Sequence, residues 1–376
     1  MPTHRAAVLS STSKPLTIEA VPTPTPTSGQ VLVRPLTVPI VSYTREILTG
    51  QRPYPLALPF VPGISAIARI EATGSDTTNR TPGQLVYVDP VVRARDDHGG
   101  EQNTIVMQGY MAGFTPGAQK LSHGDWRNGS WAERMLVPLE STYPIDEEIV
   151  VQKLGYSPTQ LAWLNVLLVP YGGWVQAGLQ PGETAIVCFA TGNFGSVAID
   201  VALAMGAGRV VAVGRNAEKL RQTVEAKHDA GRVALVALTG DVETDTAALK
   251  AATPGGRGAD VFLDLAPESA SATAAKHVKA AISTLKVNGR AVLMGGIMGD
   301  LAIPYADVML RNIKLLGRFM YEREAPARLI GLVESGKIHL ETLRTEDYGL
   351  DHIEAALDAA QAKGGAGMLV ALNHEK

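Results

Sequence analysis

The sequence predicts an α/β chain with a small β-barrel first and a doubly wound parallel sheet second, on three observations. Short strand-like runs punctuated by Pro and Gly fill the first 150 residues. From Pro158 onward, apolar runs alternate with helical patterns, the rhythm of βαβ units. A glycine turn, Ala190-Thr191-Gly192-Asn193-Phe194-Gly195, joins one such run to one such helix. At 376 residues the chain has room for two domains.

The barrel strands are expected at His4–Ser11, Leu16–Pro22, Gln30–Ile40, Ile64–Glu71, Gln84–Asp89 and Ser130–Pro138. Arg93–Gly129 interrupts them with 37 residues of mixed polarity, too long for an ordinary connection, and reads as a lobe, a lid or an insertion. Six parallel strands follow, at Ala185–Ala190, Arg209–Gly214, Val233–Leu238, Ala259–Leu265, Arg290–Gly295 and Ile313–Gly317. Helical patterns lie between them at Phe194–Met205, Asn216–His228 and Glu268–Leu285. Helices at Ala325–Ser335 and Asp351–Ala362 and a strand near Met368–Leu372 are expected to return to the first domain. The resulting division is 1–159, 160–317 and 318–376.

Thirty-four Lys+Arg against 37 Asp+Glu leave a formal charge of −3, with 45% hydrophobic residues. That balance carries no basic footprint for nucleic acid or for an anionic membrane surface. No apolar run approaches the roughly 18 residues of a membrane helix, and MPTHRAAVLSS has no secretory pattern, so a cytoplasmic setting is expected. The single cysteine, Cys188, excludes an internal disulfide and every Cys₄ or Cys₂His₂ zinc site.

The glycine turn is a G-x-G-x-x-G pattern with Ala in first place. Gly192 lets the backbone approach a pyrophosphate, Gly195 lets the helix pack on the strand, and the phosphates sit at the helix N-terminus. Thr191, Asn193 and Phe194 complete the turn; a tight βα turn without a ligand is the plainer alternative. At the end of the following strand, where an acid would bond the ribose hydroxyls of NAD, stands Gly214. Arg215, Asn216 and Lys219 follow, so the pattern favours NADP(H), unless both cations are simply solvated charges at a helix start.

These stretches resemble the medium-chain dehydrogenase/reductase superfamily, of the quinone-oxidoreductase and zinc-alcohol-dehydrogenase type. PLALPFVPGISAIARIEATGS (55–75), GSWAERMLVP (129–138), AGLQPGETAIV (177–187), GGRGADVFLDL (255–265), NGRAVLMGG (288–296) and LIGLVESGKI (329–338) follow in the family's order. The resemblance implies a GroES-like barrel, a Rossmann domain and a nicotinamide held in a cleft between them. It also implies cofactor contacts from Leu265, Ala266, Gly295, Gly296 and Ile297, with Arg318 and Tyr321 reaching cofactor or substrate.

Carried over position by position, the family's catalytic zinc ligands fall on Val41, on Ile64 within Gly63-Ile64-Ser65, and on Asn165. None supplies a thiolate or an imidazole, and the four structural-zinc cysteines are missing from 93–129, so a zinc-free member is expected. Asp96, Asp97, His98, Glu101, His123 and Asp125 cluster in sequence but match no metal spacing and read as water-facing.

Without a Lewis acid, the charge created by hydride delivery must meet hydrogen-bond donors, which suits the enolate of an enone or a quinone product. Tyr43 stands two residues beyond the lost Cys position, where zinc-type relatives carry a proton-relaying Ser/Thr; it either donates to substrate or anchors a backbone carbonyl. Tyr171, near the entry to the Rossmann domain, either catalyses or packs. Tyr110, Met111, Phe114 and Trp126 either line a pocket for a planar, apolar substrate or seal the lobe to the barrel. The expectation is an NADPH-dependent, zinc-independent enone or quinone reductase, with a homodimer as its possible assembly. A metal-free ketone or alcohol dehydrogenase and a non-redox or non-catalytic NADP-binding protein are the alternatives.

Overall fold

The computed structural model describes residues 2–97 and 104–376. The chain forms two compact units, one of residues 1–165, 343–364 and 368–376, the other of residues 166–342 and 365–367. Residues 318–342, expected with the first domain, therefore pack in the second. The helix Ala325–Glu334 explains this: its apolar face, with Leu329, Ile330 and Val333, is buried there.

The first unit is built on a seven-stranded sheet. Its central strand, Gln30–Ile40, is buried along nearly its whole length and pairs antiparallel with Ala66–Thr73, Met135–Pro138 and Met368–Asn373. Leu85–Val88 and Thr142–Pro144 extend one edge, and Arg344–Tyr348 forms the other. Thr3–Val8 and Thr17–Pro22 make a separate hairpin. Trp131, Val33, Val38, Val86 and Leu372 lie in the core these strands enclose. In the described part of the expected lobe, strands Val91–Arg93 and Ile105–Met107 pair, and helix Pro116–His123 starts at a Thr115 cap. Val92, Val106, Ala118 and Trp126 give it a small core of its own.

The second unit holds six parallel strands: β1 (Thr184–Cys188), β2 (Arg209–Gly214), β3 (Val233–Ala237), β4 (Ala259–Asp264), β5 (Leu285–Leu293) and β6 (Lys314–Gly317). Their order is β3-β2-β1-β4-β5-β6, which reverses direction at β1 and β4. In open sheets of this kind ligands bind beyond the carboxyl ends of the strands at that reversal. The helices that matter for the site are α1 (Asn193–Ala204), after β1, α2 (Ala217–Glu225), after β2, and α3 (Ala274–Thr284), between β4 and β5. Strand β1 is buried at every residue, as its unbroken apolar run requires of a central parallel strand. No helix among the described residues is long and apolar enough to cross a membrane.

Candidate functional site

At the reversal, β1 ends at Cys188 and the chain turns through Phe189–Gly192 into α1. A Cβ placed on Gly195 would stand 1.8 Å from the Phe189 carbonyl oxygen, so only glycine lets α1 pack this closely on the strand. At Gly192 the same test meets nothing within 4 Å, which leaves room beside the helix N-terminus for an oxyanion. Gly192 is also the N-cap of α1 and offers no side chain to cap its first amides. Asn193 is buried, and its Nδ2 donates to the Gly365 carbonyl at 2.9 Å, tying residues 365–367 to the turn. Thr191 lies against the end of β2, its Cγ2 3.3 Å from where a Gly214 Cβ would be.

Beyond Gly214, Asn216 caps α2 by accepting from the Lys219 amide at 2.9 Å, so its side chain serves the helix. Arg215 and Lys219 are exposed, and among the described residues neither side chain has an ion-pair or hydrogen-bond partner. The Arg215 guanidinium lies over the Phe189 ring, 5.3 Å from its centroid. No carboxylate stands at the end of β2.

The ends of β4 and β5 are drawn together. The Gly296 amide donates to the Ala266 carbonyl at 2.8 Å, and a Cβ on Gly295 would meet that carbonyl at 2.7 Å and Asp264 Oδ2 at 2.8 Å. The Leu265 amide bonds back to the Cys188 carbonyl, and Ile297 packs on the sheet core. Leu265, Ala266, Gly295 and Gly296 thus adjoin the glycine turn through main chain.

Two further expected contacts have other partners. Arg318 pairs with Glu322 at 3.0 Å and reaches Gln176 at 3.5 Å, while Tyr321 is 1% exposed and packs on Gly172 of the helix Leu164–Ala177. Both act as ties within the unit, because the chain leaving β6 folds straight back onto that helix. Tyr171 is buried in the same helix; burial pushes its phenol pKa up and Arg328 opposes the rise.

In the first unit, Tyr43 opens the short helix Thr44–Leu48 without capping it through its side chain. The Arg52 guanidinium lies over the Tyr43 ring at 4.3 Å, bonds Tyr54 and pairs with Glu46 at 3.4 Å. Tyr54 meets Tyr110 edge-on at 6.0 Å, and the Tyr110 hydroxyl is 3.3 Å from Thr44 Oγ1. Burial raises the Tyr43 phenol well above its usual pKa; the nearby Tyr54 adds to the rise and Arg52 opposes it. The phenol is therefore a protonated donor at neutral pH, with a cation stacked against it. Arg52 and Tyr54 carry no periodic signal in the sequence. Only the fold brings them to Tyr43.

The expected aromatic pocket divides. Tyr110, Met111 and Trp126 line a cavity of about 10 Å³, the size of a single water, so they close the lobe. Phe114 departs from the expectation: it is 78% exposed, carried outward between Gly113 at φ +79° and the Thr115 cap, and has no part in that cavity.

Val41, Ile64 and Asn165, at the family's zinc-ligand positions, are all buried and present two alkyl chains and an amide. That donor set does not fit zinc. Of the acidic and histidine residues in the lobe, Asp125 accepts from Gln30 at 2.8 Å, Asp97 from the Thr104 amide at 3.2 Å, and His123 bonds Gln119. Asp96 is exposed, while His98 and Glu101 lie outside the described residues. Among the described residues no three His, Cys, Asp or Glu side chains are grouped to hold a metal.

A barrel-type unit and a parallel sheet with a nucleotide-type glycine turn define a pyridine-nucleotide-dependent oxidoreductase. Residues 27–147 match the alcohol dehydrogenase GroES-like domain and residues 194–335 the zinc-binding dehydrogenase domain. An alcohol dehydrogenase of Cupriavidus necator is 27% identical over 365 residues, 92% of each chain. A protein named as a probable D-xylulose reductase A, from Aspergillus niger, is 25% identical over 320 residues, 83% of this chain and 80% of its own. Among solved structures, a Sinorhizobium meliloti 1021 protein described as a zinc-binding dehydrogenase and bound to NADP superposes with a TM-score of 0.77 at 22% identity, covering 99% of this chain and 100% of its own. The chain thus has the fold of the medium-chain alcohol dehydrogenases, a GroES-like domain followed by a Rossmann-type parallel sheet.

Proposed function

We propose that the protein interconverts a carbonyl and an alcohol with NADP(H) and without catalytic zinc. The observation that carries this reading is the cation-backed tyrosine cluster of the first unit, in a chain whose zinc-ligand positions hold Val41, Ile64 and Asn165. The names of the alcohol dehydrogenase and xylulose reductase relatives support the substrate class.

NADPH would supply the hydride to the carbonyl carbon. Tyr43 then gives its phenolic proton to the substrate oxygen, and Arg52 stabilises the phenolate left behind until solvent restores the proton. A neutral phenol alone stabilises a strongly basic alkoxide poorly, and the Arg52 charge makes up for this. The amides of the glycine turn hold the pyrophosphate, and Arg215, with no acid at Gly214, holds the 2′-phosphate.

A second reading, reduction of an activated alkene or a quinone, draws on the same missing zinc donors, because an enolate demands less of its hydrogen-bond partners. Turnover of a conjugated ketone with 4-deuterated NADPH separates the two. Deuterium on the carbinol carbon supports the carbonyl reading. Deuterium only at the β-carbon of the former C=C overturns it in favour of the second.

A further inference from the structure

Four side chains form a continuous series from the exposed end of β2 into the core of the second unit. The Arg215 guanidinium lies over the Phe189 ring at 5.3 Å, within the range of a cation–π contact. The other side of the series is the His277 ring, on α3, with centroids 4.9 Å apart and planes tilted by 54°. His277 Nε2 in turn donates to Asp264 Oδ1 at 3.3 Å, at the end of β4, and these two side chains are only 4% and 2% exposed.

Phe189 and Asp264 are each held by something other than a neighbour in the series. The Phe189 carbonyl is the surface on which Gly195 packs, so the ring's backbone cannot slide without opening the glycine turn. Asp264 also receives the Ala266 amide and lies against Gly295. Arg215 is not so held. Its ring contact with Phe189 is its one direct partner among the described residues.

We propose that Phe189 is a specificity-determining residue for the phosphorylated cofactor. Its ring, backed by His277, is a shelf that keeps the Arg215 guanidinium at the end of β2, where the 2′-phosphate of NADP(H) arrives. The inference rests on the reading of Arg215 as the phosphate-binding group. A long, exposed arginine otherwise surrenders rotamer freedom on binding, and a shelf that orders it beforehand leaves more of the charge-assisted contact to appear as affinity. NADH has no 2′-phosphate and draws nothing from the shelf.

The test is a double-mutant cycle read as the ratio of NADPH to NADH affinity, by fluorescence titration of the intact protein. Arg215→Ala should lower the ratio about ten- to a hundred-fold. Phe189→Leu, which keeps an apolar side chain in the core, should lower it about two- to five-fold. In the Arg215→Ala background Phe189→Leu should lower it no further. NADH binding reports whether each variant is folded, and Phe189→Met replaces Leu if it is not. A Phe189 variant that weakens both cofactors equally, or shifts the ratio as much without Arg215 as with it, overturns the shelf and leaves Phe189 as packing for the turn. If Arg215→Ala leaves the ratio unchanged, the cofactor reading itself fails and the shelf goes with it.

Discussion

Around the glycine turn of the second unit, the groups offered to a ligand are largely main-chain amides and carbonyls set by strand ends. Around Tyr43 in the first unit they are the tips of side chains, three phenols and one guanidinium, held by stacking and a few hydrogen bonds. The first arrangement suits the features that every dinucleotide shares, and at Gly195 it tolerates almost no change in backbone shape. The second concentrates its chemistry in replaceable atoms. Substitution should therefore damage folding in one region and rate in the other.

The largest effect is expected at Gly195. Its added Cβ would meet the Phe189 carbonyl at 1.8 Å, so Gly195→Ala should destabilise the second unit by about 3 kcal/mol or more and abolish nucleotide binding. Gly192→Ala meets nothing within 4 Å and should leave the melting temperature unchanged while weakening NADPH and NADH alike. Thermal unfolding and titration of both variants check the pair; equal stability losses would remove the distinction between close packing at one glycine and ligand space at the other.

In the first unit, Tyr43→Phe removes one oxygen without moving the backbone. It should lower kcat ten- to a thousand-fold, an order-of-magnitude range of roughly 1.4 to 4 kcal/mol, with NADPH affinity unchanged. Steady-state kinetics alongside cofactor titration test this, and an unchanged kcat would leave the stacked Arg52 with no catalytic partner.

A smaller effect, one of stability and not of rate, sharpens the contrast through pH. His374 is half-buried in the first unit, its Nε2 donating to the Ser130 carbonyl at 3.1 Å, and desolvation of the ring lowers its pKa to about 4. Below the unfolded value of 6.5 the unfolded chain binds the proton first, so this contribution is complete above pH 6.5 and is lost as the pH falls toward 4. Up to about 3 kcal/mol is at stake. His374→Gln should flatten the acid limb of the stability curve; an unaltered limb would assign it to other groups.

The same contrast explains what could be read from the sequence. The parallel strands were legible as short apolar runs, and Arg209–Gly214 is observed with the expected bounds, but β5 begins at Leu285 and not at Arg290, because its first half, LKVNG, carries no apolar run. The glycine turn was legible because its requirement is conformational and therefore visible as residue type. Arg344–Tyr348 was not, since RTEDY is an edge strand with no apolar alternation, identified only by its pairing with Met368–Leu372. The helix Leu164–Ala177 was hidden by Pro170 in its interior. Arg52 and Tyr54 occupy an irregular segment, where nothing in local spacing points to Tyr43. Phe114 showed the converse error, an aromatic residue in a promising neighbourhood that the local backbone turns toward water.

The discontinuity of the first unit has a consequence for how the protein is made. Its last strand, Met368–Asn373, lies between Gln30–Ile40 and the edge strand Arg344–Tyr348. On the ribosome, Gln30–Ile40 emerges long before that neighbour, while residues 166–342 of the other unit are already together. At about 5–20 residues per second the wait after residue 165 is roughly ten to forty seconds. Through that interval the Thr37–Ile40 end of a strand buried along nearly its whole length lacks its partner on one edge. The nascent chain is thus most exposed to aggregation, and most dependent on chaperones, while its second half is folding.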